Sequence, residues 1–313
     1  MISRGFLLIT VYPDYYPSFQ CIAERCRHSC CIGWEIDIDP HSLRRFLSLK
    51  GELGDCLRAN ITADEDSAHF TLQEGERCPF LEKSGLCRLI KEKGEGFICR
   101  ICSDHPRFYH FRSDGIEKGL GLCCEAACDL ILNLREPVRL IVQDDGRRKT
   151  PPRKWEQQYS ALLNDLVRIA QARSLRISER MKRILEAVGM ENADITPSHW
   201  LEVFAGLEHM DKDWERVLLG AAPEDDPLAF PAEMIEQLLV YFLYRHLFAG
   251  CQSHLAPFYA GLAVLSVRMI MAIAGNRQEM LCEVARQYSA EIEYSDENIQ
   301  KLIAYLQKGV YCI

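Results

Sequence analysis

The chain lacks most of the features that mark a nucleic-acid binder, a membrane protein or a disordered linker. It has no excess of positive charge. In 313 residues, 45 acidic side chains against 37 basic ones leave a net charge of −8, whereas general nucleic-acid binding needs a broad basic face. The dense basic run Arg147-Arg148-Lys149 reads as solvated linker. There is no low-complexity tract and no internal repeat, and a 48% apolar, 26% charged composition is that of a globular protein. Long apolar runs are also missing. The most apolar segment, Phe258 to Ala274, contains Arg268 and falls short of the roughly 20 residues that cross a bilayer. Met1 to Tyr12 carries one positive side chain and a short apolar stretch, without a small-residue cleavage site before Pro13-Asp14. The expectation is a soluble, cytoplasmic protein with no nucleic-acid and no membrane partner.

Cysteine is scarce in the second half, where only Cys251, Cys282 and Cys312 occur, and dense in the first, where twelve precede residue 130. Fifteen thiols in a reducing compartment point to metal binding or redox chemistry rather than a disulfide frame, which an odd number also fits poorly. Cys21-Ile-Ala-Glu-Arg-Cys26-Arg-His-Ser-Cys30-Cys31 puts four thiols in eleven residues. Thiolates at such spacing suit iron–sulfur clusters and zinc. Neighbouring side chains of extended backbone point to opposite faces, so Cys30 and Cys31 either serve two centres or leave one thiol as a small buried residue. The isolated Cys56, Cys251, Cys282 and Cys312 read as core or surface thiols.

Local patterning sets these thiols on loops and element ends. Ile2 to Tyr12 is β-branched and aromatic, a strand pattern. Trp34, Ile36 and Ile38 alternate with Glu35, Asp37 and Asp39, a short strand with one apolar face. Asp39-Pro40 reads as an N-cap with proline at the first helical position, opening a helix to about Lys50. Another short strand is expected at Phe70–Leu72. Phe108 to Arg112, Ser113-Asp114-Gly115 and Ile116 to Leu122 read as a hairpin, followed by a helix from Cys123 to about Leu134. After the polar linker Asp144 to Pro152, Trp155 to Leu166, Ser178 to Val188, a segment opening at Pro197, Met234 to Phe248, Phe258 to Ala274 and a segment opening at Asp296 show helical periodicity. Met269, Met271 and Met280 read as core filler, and His246 and His254 as histidines near helix ends or a base beside a cleft. The fold expected is mainly α: a cysteine-rich α+β metal-cluster domain over residues 1–145, then an all-α helical domain over residues 152–313.

Five motifs in order, Cys-x4-Cys-x3-Cys-Cys-x-Gly-Trp-x-Ile-x-Ile-Asp from Cys21, then Cys78-Pro-Phe-Leu, Gly85-Leu-Cys87, Cys102-x3-Pro-Arg and Cys123-x-Glu-Ala-Ala, resemble the flagellin lysine-N-methylases. The first half of the pattern resembles a broader family of zinc- or iron-chelating cysteine-cluster proteins. The resemblance covers Tyr12 to Leu134, and the helical remainder is similar in general character. It implies metal ligation by Cys21, Cys26, Cys30, Cys31, Cys78, Cys87, Cys102 and Cys123. It further implies an iron–sulfur cluster of [4Fe–4S] type, with zinc as an alternative or addition, S-adenosylmethionine as methyl donor, and flagellin or a similar protein as substrate. Eight ligands exceed one [4Fe–4S] cluster, so two centres, or a cluster and a zinc, are implied. Cys124 stands where the family usually has proline and His105 where it has tyrosine, Cys99 and Cys128 are additional, and the C-terminal end looks shorter than in many relatives. The ligand set is therefore open.

Two nucleotide signatures are missing. Cys26-x3-Cys30 is followed at once by Cys31, so the Cys-x3-Cys-x2-Cys spacing of radical enzymes that use S-adenosylmethionine is not met, and Gly119-Leu-Gly121 lies in the hairpin and is no Gly-x-Gly-x-x-Gly loop. Lysine methylation needs a neutral amine from a group whose pKa is about 10.4, hence a base or desolvation, and a sulfonium held by aromatic faces or carboxylates. Candidates near the thiols are Tyr109, Asp37 and Glu125 for the base and Trp34 for the cofactor, with Glu35 and Asp39 nearby; Asp39 is also explained as an N-cap. Three readings stay open: an iron–sulfur lysine methylase, a non-catalytic iron–sulfur or zinc protein that binds or relays electrons, and an iron–sulfur enzyme that modifies peptides otherwise.

Overall fold

The computed structural model describes residues 9–64, 67–146 and 150–311. The expected strand residues 2–8, the basic run 147–149 and Cys312 lie outside them. In chain order the strands are β1 (Ile9–Pro13), β2 (Ile61–Ala63), β3 (Ala68–Phe70), β4 (Arg107–Phe111), β5 (Gly115–Leu120) and β6 (Leu140–Asp144). The helices are α1 (Pro40–Ser48), α2 (Glu52–Ala59), α3 (Arg88–Lys93), α4 (Arg100–Asp104), α5 (Glu125–Leu132), α6 (Lys154–Ala170), α7 (Ile177–Ala187), α8 (Pro197–Ala205), α9 (Trp214–Leu219), α10 (Ala232–Gln252), α11 (Ala256–Ile273), α12 (Leu281–Tyr288) and α13 (Asp296–Tyr311). Helix predominates, as expected.

The chain forms two compact units. The cysteine-rich unit is Gln20–Phe108 with Cys124–Ala126, and the second unit takes the residues through Phe19, Tyr109–Cys123 and everything from Ala127. The composition-based division at residues 145–152 thus differs from the grouping by contact. Strand pairing is the reason: β1 runs parallel to β5 and antiparallel to β6, giving a sheet of order β4-β5-β1-β6. From Lys154 on, every described element is helical, as expected, and the sheet comes from earlier residues. The sequence pattern contained the β4–β5 hairpin, but the parallel partner of β5 and the existence of β6 follow from pairing between distant segments.

In the second unit, α10 and α11 form the core. Both are buried on most faces, as their near-continuous apolar runs require. α11 spans 18 residues and is long and apolar enough to cross a membrane by length and composition, contrary to the sequence expectation, but most of its surface is covered inside the unit. Gly250 on α10 faces the Tyr259 ring, where a Cβ would sit 2.7 Å from the tyrosine side chain. The hairpin of helices closes on that contact. Tyr244 of α10 donates to the carbonyls of Lys118 (3.1 Å) and Val11 (3.4 Å), fastening sheet to helix. His246 lies inside α10, not near its end as the sequence suggested, whereas the exposed His254 follows the helix in a left-handed conformation. Arg180 and Arg173 both pair with the buried Glu236 at 2.8 and 2.9 Å.

In the cysteine-rich unit, Ile36 and Ile38 point inward and Glu35 and Asp37 outward, as the alternation predicts. The segment makes backbone bonds to β3 (Ile38 N–H to Ala68 O, 2.7 Å; Phe70 N–H to Ile36 O, 3.1 Å). The core is aromatic: Phe46 stacks on Phe70 at 5.9 Å, and Phe70 meets Phe80 edge-on at 5.0 Å. Cys78 and Cys99 are buried in it.

The tightest backbone approach in the sheet is at Gly115, where a Cβ would lie 2.0 Å from the Ile9 carbonyl oxygen. Gly115→Ala is expected to push β1 off β5 and cost about 1–3 kcal/mol or more, read from the urea midpoint. Gly96→Ala, facing open space at an ordinary φ, is expected to stay within about 0.5 kcal/mol of the parent.

Candidate metal centre

Four local devices in the cysteine-rich unit carry one group of thiols together. Cys78 N–H donates to Cys31 O at 2.8 Å, tying the first motif to the second. The turn at Gly85, which has φ +84°, folds the chain so that Arg88 N–H reaches Phe80 O at 2.8 Å and Leu81 bridges Cys87. Arg45 donates to the carbonyls of Gly96, Phe97 and Ile98 at 2.7, 2.8 and 3.0 Å, with its guanidinium over the Phe97 ring, and so fixes the residues leading into Cys99. Asp39 caps α1 by accepting from the His41 and Ser42 N–H groups and also accepts from Arg100 N–H at 2.9 Å, at the start of α4. Cys99 and Cys102 end 3.2 Å apart, sulfur to sulfur. Cys78 feels the charges of Cys31, Cys87 and Cys99, Cys87 those of Cys31 and Cys99, and Cys102 those of Cys99, Cys31 and Cys78.

A second group consists of Cys21, Cys26, Cys30 and Cys124. Here Arg27 holds Glu125 through both its backbone N–H and its guanidinium at 2.8 Å, and Cys26 donates to His28 O at 3.3 Å. Trp34 donates its indole N–H to Cys30 O at 2.7 Å. Cys30 and Cys31 share a hydrogen bond between their side chains while belonging to different groups. Cys123 belongs to the other unit, where its thiol donates to Tyr294 Oη at 3.2 Å. The additional Cys99 and the unusual Cys124 therefore stand among the thiols.

Burial and the charges of the other thiols push most of these groups up, Cys78 to about 12. Two are lowered instead: Cys31 to about 7 by the bond from Cys30, with help from Ser29 and Arg77, and Cys99 by the bond from Cys102. No three His, Cys, Asp or Glu side chains among the described residues converge to hold a single metal ion. A mononuclear site gathers its sulfurs at about 2.3 Å from one ion. An iron–sulfur cluster instead takes one thiolate per iron around a larger inorganic body. Nine thiols in two groups fit the donor chemistry of such clusters.

The candidate catalytic side chains are mostly engaged. Glu125 is held below the usual carboxylate range: burial pushes it up, and the Arg27 bonds and charge outweigh that. Asp37 is exposed and bridges His69 through its backbone, Glu35 lies 3.7 Å from His69, and Tyr109 stacks with Phe111 in the second unit. Trp34 touches His105, which burial lowers to about 4.

A buried ionic cluster in the second unit was not legible in the sequence. Glu293, in a π-helical turn after α12, accepts from His246 Nε2 at 2.7 Å and from Tyr241 Oη at 2.9 Å, with Arg245 3.7 Å away. Burial pushes the carboxyl up, but His246 and Arg245 hold it lower, and burial keeps His246 neutral.

A family model for the FliB lysine N-methylase C-terminal domain matches residues 152–312. Curated lysine-N-methylases of Salmonella typhimurium and Salmonella choleraesuis are each 28% identical over 131 residues, covering 39% of this chain and 32% of the relative. The flagellar biosynthetic protein FliU of Salmonella muenchen is 27% identical over 156 residues, covering 47% of this chain and 90% of that protein. The match thus spans about a third of the two methylases. No solved structure matches.

Asp39 →Ala is expected to cost about 1–2 kcal/mol, because it removes the α1 cap and the bond to α4 together. The Asp39 pKa is lowered to about 2 although burial opposes this, since backbone bonds from Ser42, Arg100 and His41 favour the carboxylate. Its folded value lies below the unfolded value near 3.9. Its stabilisation is therefore complete above about pH 4 and fades as pH falls toward 2. Urea midpoints of the parent and Asp39→Asn should converge over that window.

Proposed function

The chain belongs to the FliB lysine N-methylase family, and on that premise we propose that it methylates lysine side chains of a flagellar protein, flagellin first, with S-adenosylmethionine as donor and iron–sulfur clusters held by its thiols. The observation that carries this reading is the family match across residues 152–312. The names of the related proteins, lysine-N-methylase and flagellar biosynthetic protein, support the substrate class. Localisation in the cytoplasm, where flagellar subunits and the donor are both available, belongs to the same proposal.

Cys31, Cys78, Cys87, Cys99 and Cys102 would supply the ligands of one centre and Cys21, Cys26, Cys30 and Cys124 those of another. Zinc in one of them is the alternative the thiolate chemistry allows. A bound cluster supplies electron-transfer chemistry and a cross-link between distant loops. The chain's own groups do the holding: Trp34 orients the Cys30 carbonyl, Arg27 and Glu125 brace the loop of Cys26, and Arg45 positions the approach to Cys99. In the methyl transfer, the lone pair of a neutral lysine amine forms the N–C bond. Bound S-adenosylmethionine would supply the methyl group, its sulfur keeping the electron pair of the bond that breaks, and the amine's proton would go to a base or to water. Glu125, engaged by Arg27 and held below the usual carboxylate range, is a poor base for that step. A second reading, a redox protein, is favoured by the 3.2 Å approach of Cys99 and Cys102.

Co-expression with flagellin and intact-mass analysis should add methyl increments that map to lysines. Unmodified flagellin beside a cluster-loaded protein removes this substrate and leaves the redox reading. After anoxic purification, Cys124→Ser is expected to lose iron and sulfide, while Cys123→Ser retains parental levels. The opposite pattern restores Cys123 as the ligand.

A further inference from the structure

Two thiols outside both groups lie against each other in the second unit. Cys128 is buried on α5, and Cys282 is half-exposed in the first turn of α12. Cys128 Sγ donates to the Cys282 carbonyl oxygen at 3.3 Å, which brings α5 and the start of α12 together at these two residues, and the ionisation of each thiol acts on the other. The sequence reading has the isolated Cys282 as a core or surface thiol and Cys128 as an additional cysteine that leaves the ligand set open.

We propose that Cys128 and Cys282 form a peroxide-reactive thiol pair that closes to an intrachain disulfide linking α5 to α12. This goes beyond the methylation reading and does not depend on it. Cys282 has the access and Cys128 the shelter. The bond from Cys128 favours the Cys282 thiolate, lowering its pKa although burial and the nearby Asp129 and Glu283 carboxylates oppose ionisation. Arg286 is the cationic group facing Cys128, and Asp129 the anionic one. The first turn of a helix adds its positive end to the stabilisation of a thiolate there.

The chemistry balances with a hydroperoxide as oxidant. The Cys282 thiolate attacks one peroxide oxygen, the O–O bond breaks, and the departing hydroxide takes up a proton as water, leaving Cys282 as the sulfenic acid. Cys128 sulfur then forms the S–S bond. The sulfenic C–S bond is untouched, its S–O bond breaks, and the hydroxyl leaves with the Cys128 proton as a second water. Two thiols are oxidised and one hydrogen peroxide is reduced to two waters. A resolving thiol already in contact stops the sulfur at the reversible step.

The test treats the purified full chain with hydrogen peroxide, alkylates the remaining thiols and maps the peptides. The expected result is a cross-linked Cys128–Cys282 peptide, joint loss of both sites from the alkylated pool, and recovery of both on dithiothreitol. In Cys128→Ser, dimedone should trap the sulfenic acid at Cys282, and in Cys282→Ser, Cys128 should remain alkylatable. Both sites still alkylatable after other cysteines have oxidised, a bridge from Cys128 to a different cysteine, or over-oxidation of Cys282 without a bridge in the parent each overturns the proposal. The parent chain alone decides it, so a variant that fails to fold leaves the answer intact.

Discussion

A thiol ionises in a protein interior only where positive charge or a donated hydrogen bond meets it, and the first hundred or so residues are arranged around that constraint. Desolvation raises Cys26, Cys30, Cys78, Cys87 and Cys102, and each neighbour's charge raises them further. Cys31 is lowered, by the bond from Cys30 first and by Ser29 and Arg77 after it, and Cys99 by the bond from Cys102. The raised thiols stay protonated by themselves, and a soft cation, where one binds, would displace those protons and reverse the local balance of charge. The same fact explains why the supporting bonds are mostly backbone and arginine–carbonyl bonds. Arg45 to residues 96–98 and Asp39 to α4 fix loops in place whatever the protonation state of the sulfurs.

What the sequence made legible is what short range decides. The Asp39 cap, the Ile36 and Ile38 alternation, the β4–β5 hairpin and the paired core helices each follow from neighbours within a few residues, and the structure has all of them. The Cys30–Cys31 argument is also short-range. Adjacent side chains diverge in extended backbone, yet the strongest influence on the ionisation of Cys30 and of Cys31 is the other thiol. Long-range pairing was illegible. Nothing in Ile9–Pro13 says that it runs parallel to β5, and nothing in Glu293 or His246 says that residues 47 apart share a buried bond. For the candidate site, motif spacing gave thiol identity but not thiol company: the choice between Cys123 and Cys124 depends on where the chain turns, and Cys99 enters through a loop that Arg45 holds.

The buried Glu293 cluster shows how the second unit sets its own charge. A carboxylate without water is costly unless hydrogen-bonded, and Glu293 takes its bonds from two residues of α10, Tyr241 and His246, while sitting on a π turn that widens the helix by one residue. Removing either donor would leave a charge in the core rather than merely a lost contact. That makes the segment between α12 and α13 as firmly specified as the apolar helices, although its sequence, Ser-Ala-Glu-Ile-Glu, is polar.

The family match and the cysteines occupy different stretches, and the topology explains how both belong to one chain. Residues 152–312 carry the match, yet the unit they form also takes in β1, β5 and β6 from the first 145 residues. The cysteine-rich unit is then, in chain order, an excursion that leaves after β1 and returns at β4, with a three-residue second visit at Cys124–Ala126. Because β1 and β4 belong to one sheet, with β5 between them, the two ends of the long excursion are strands of the same sheet. Closing a long loop costs little more entropy than closing a short one once its ends are fixed. A stretch with a small apolar core and many thiols can therefore be maintained in a chain whose remaining residues supply the large hydrophobic core.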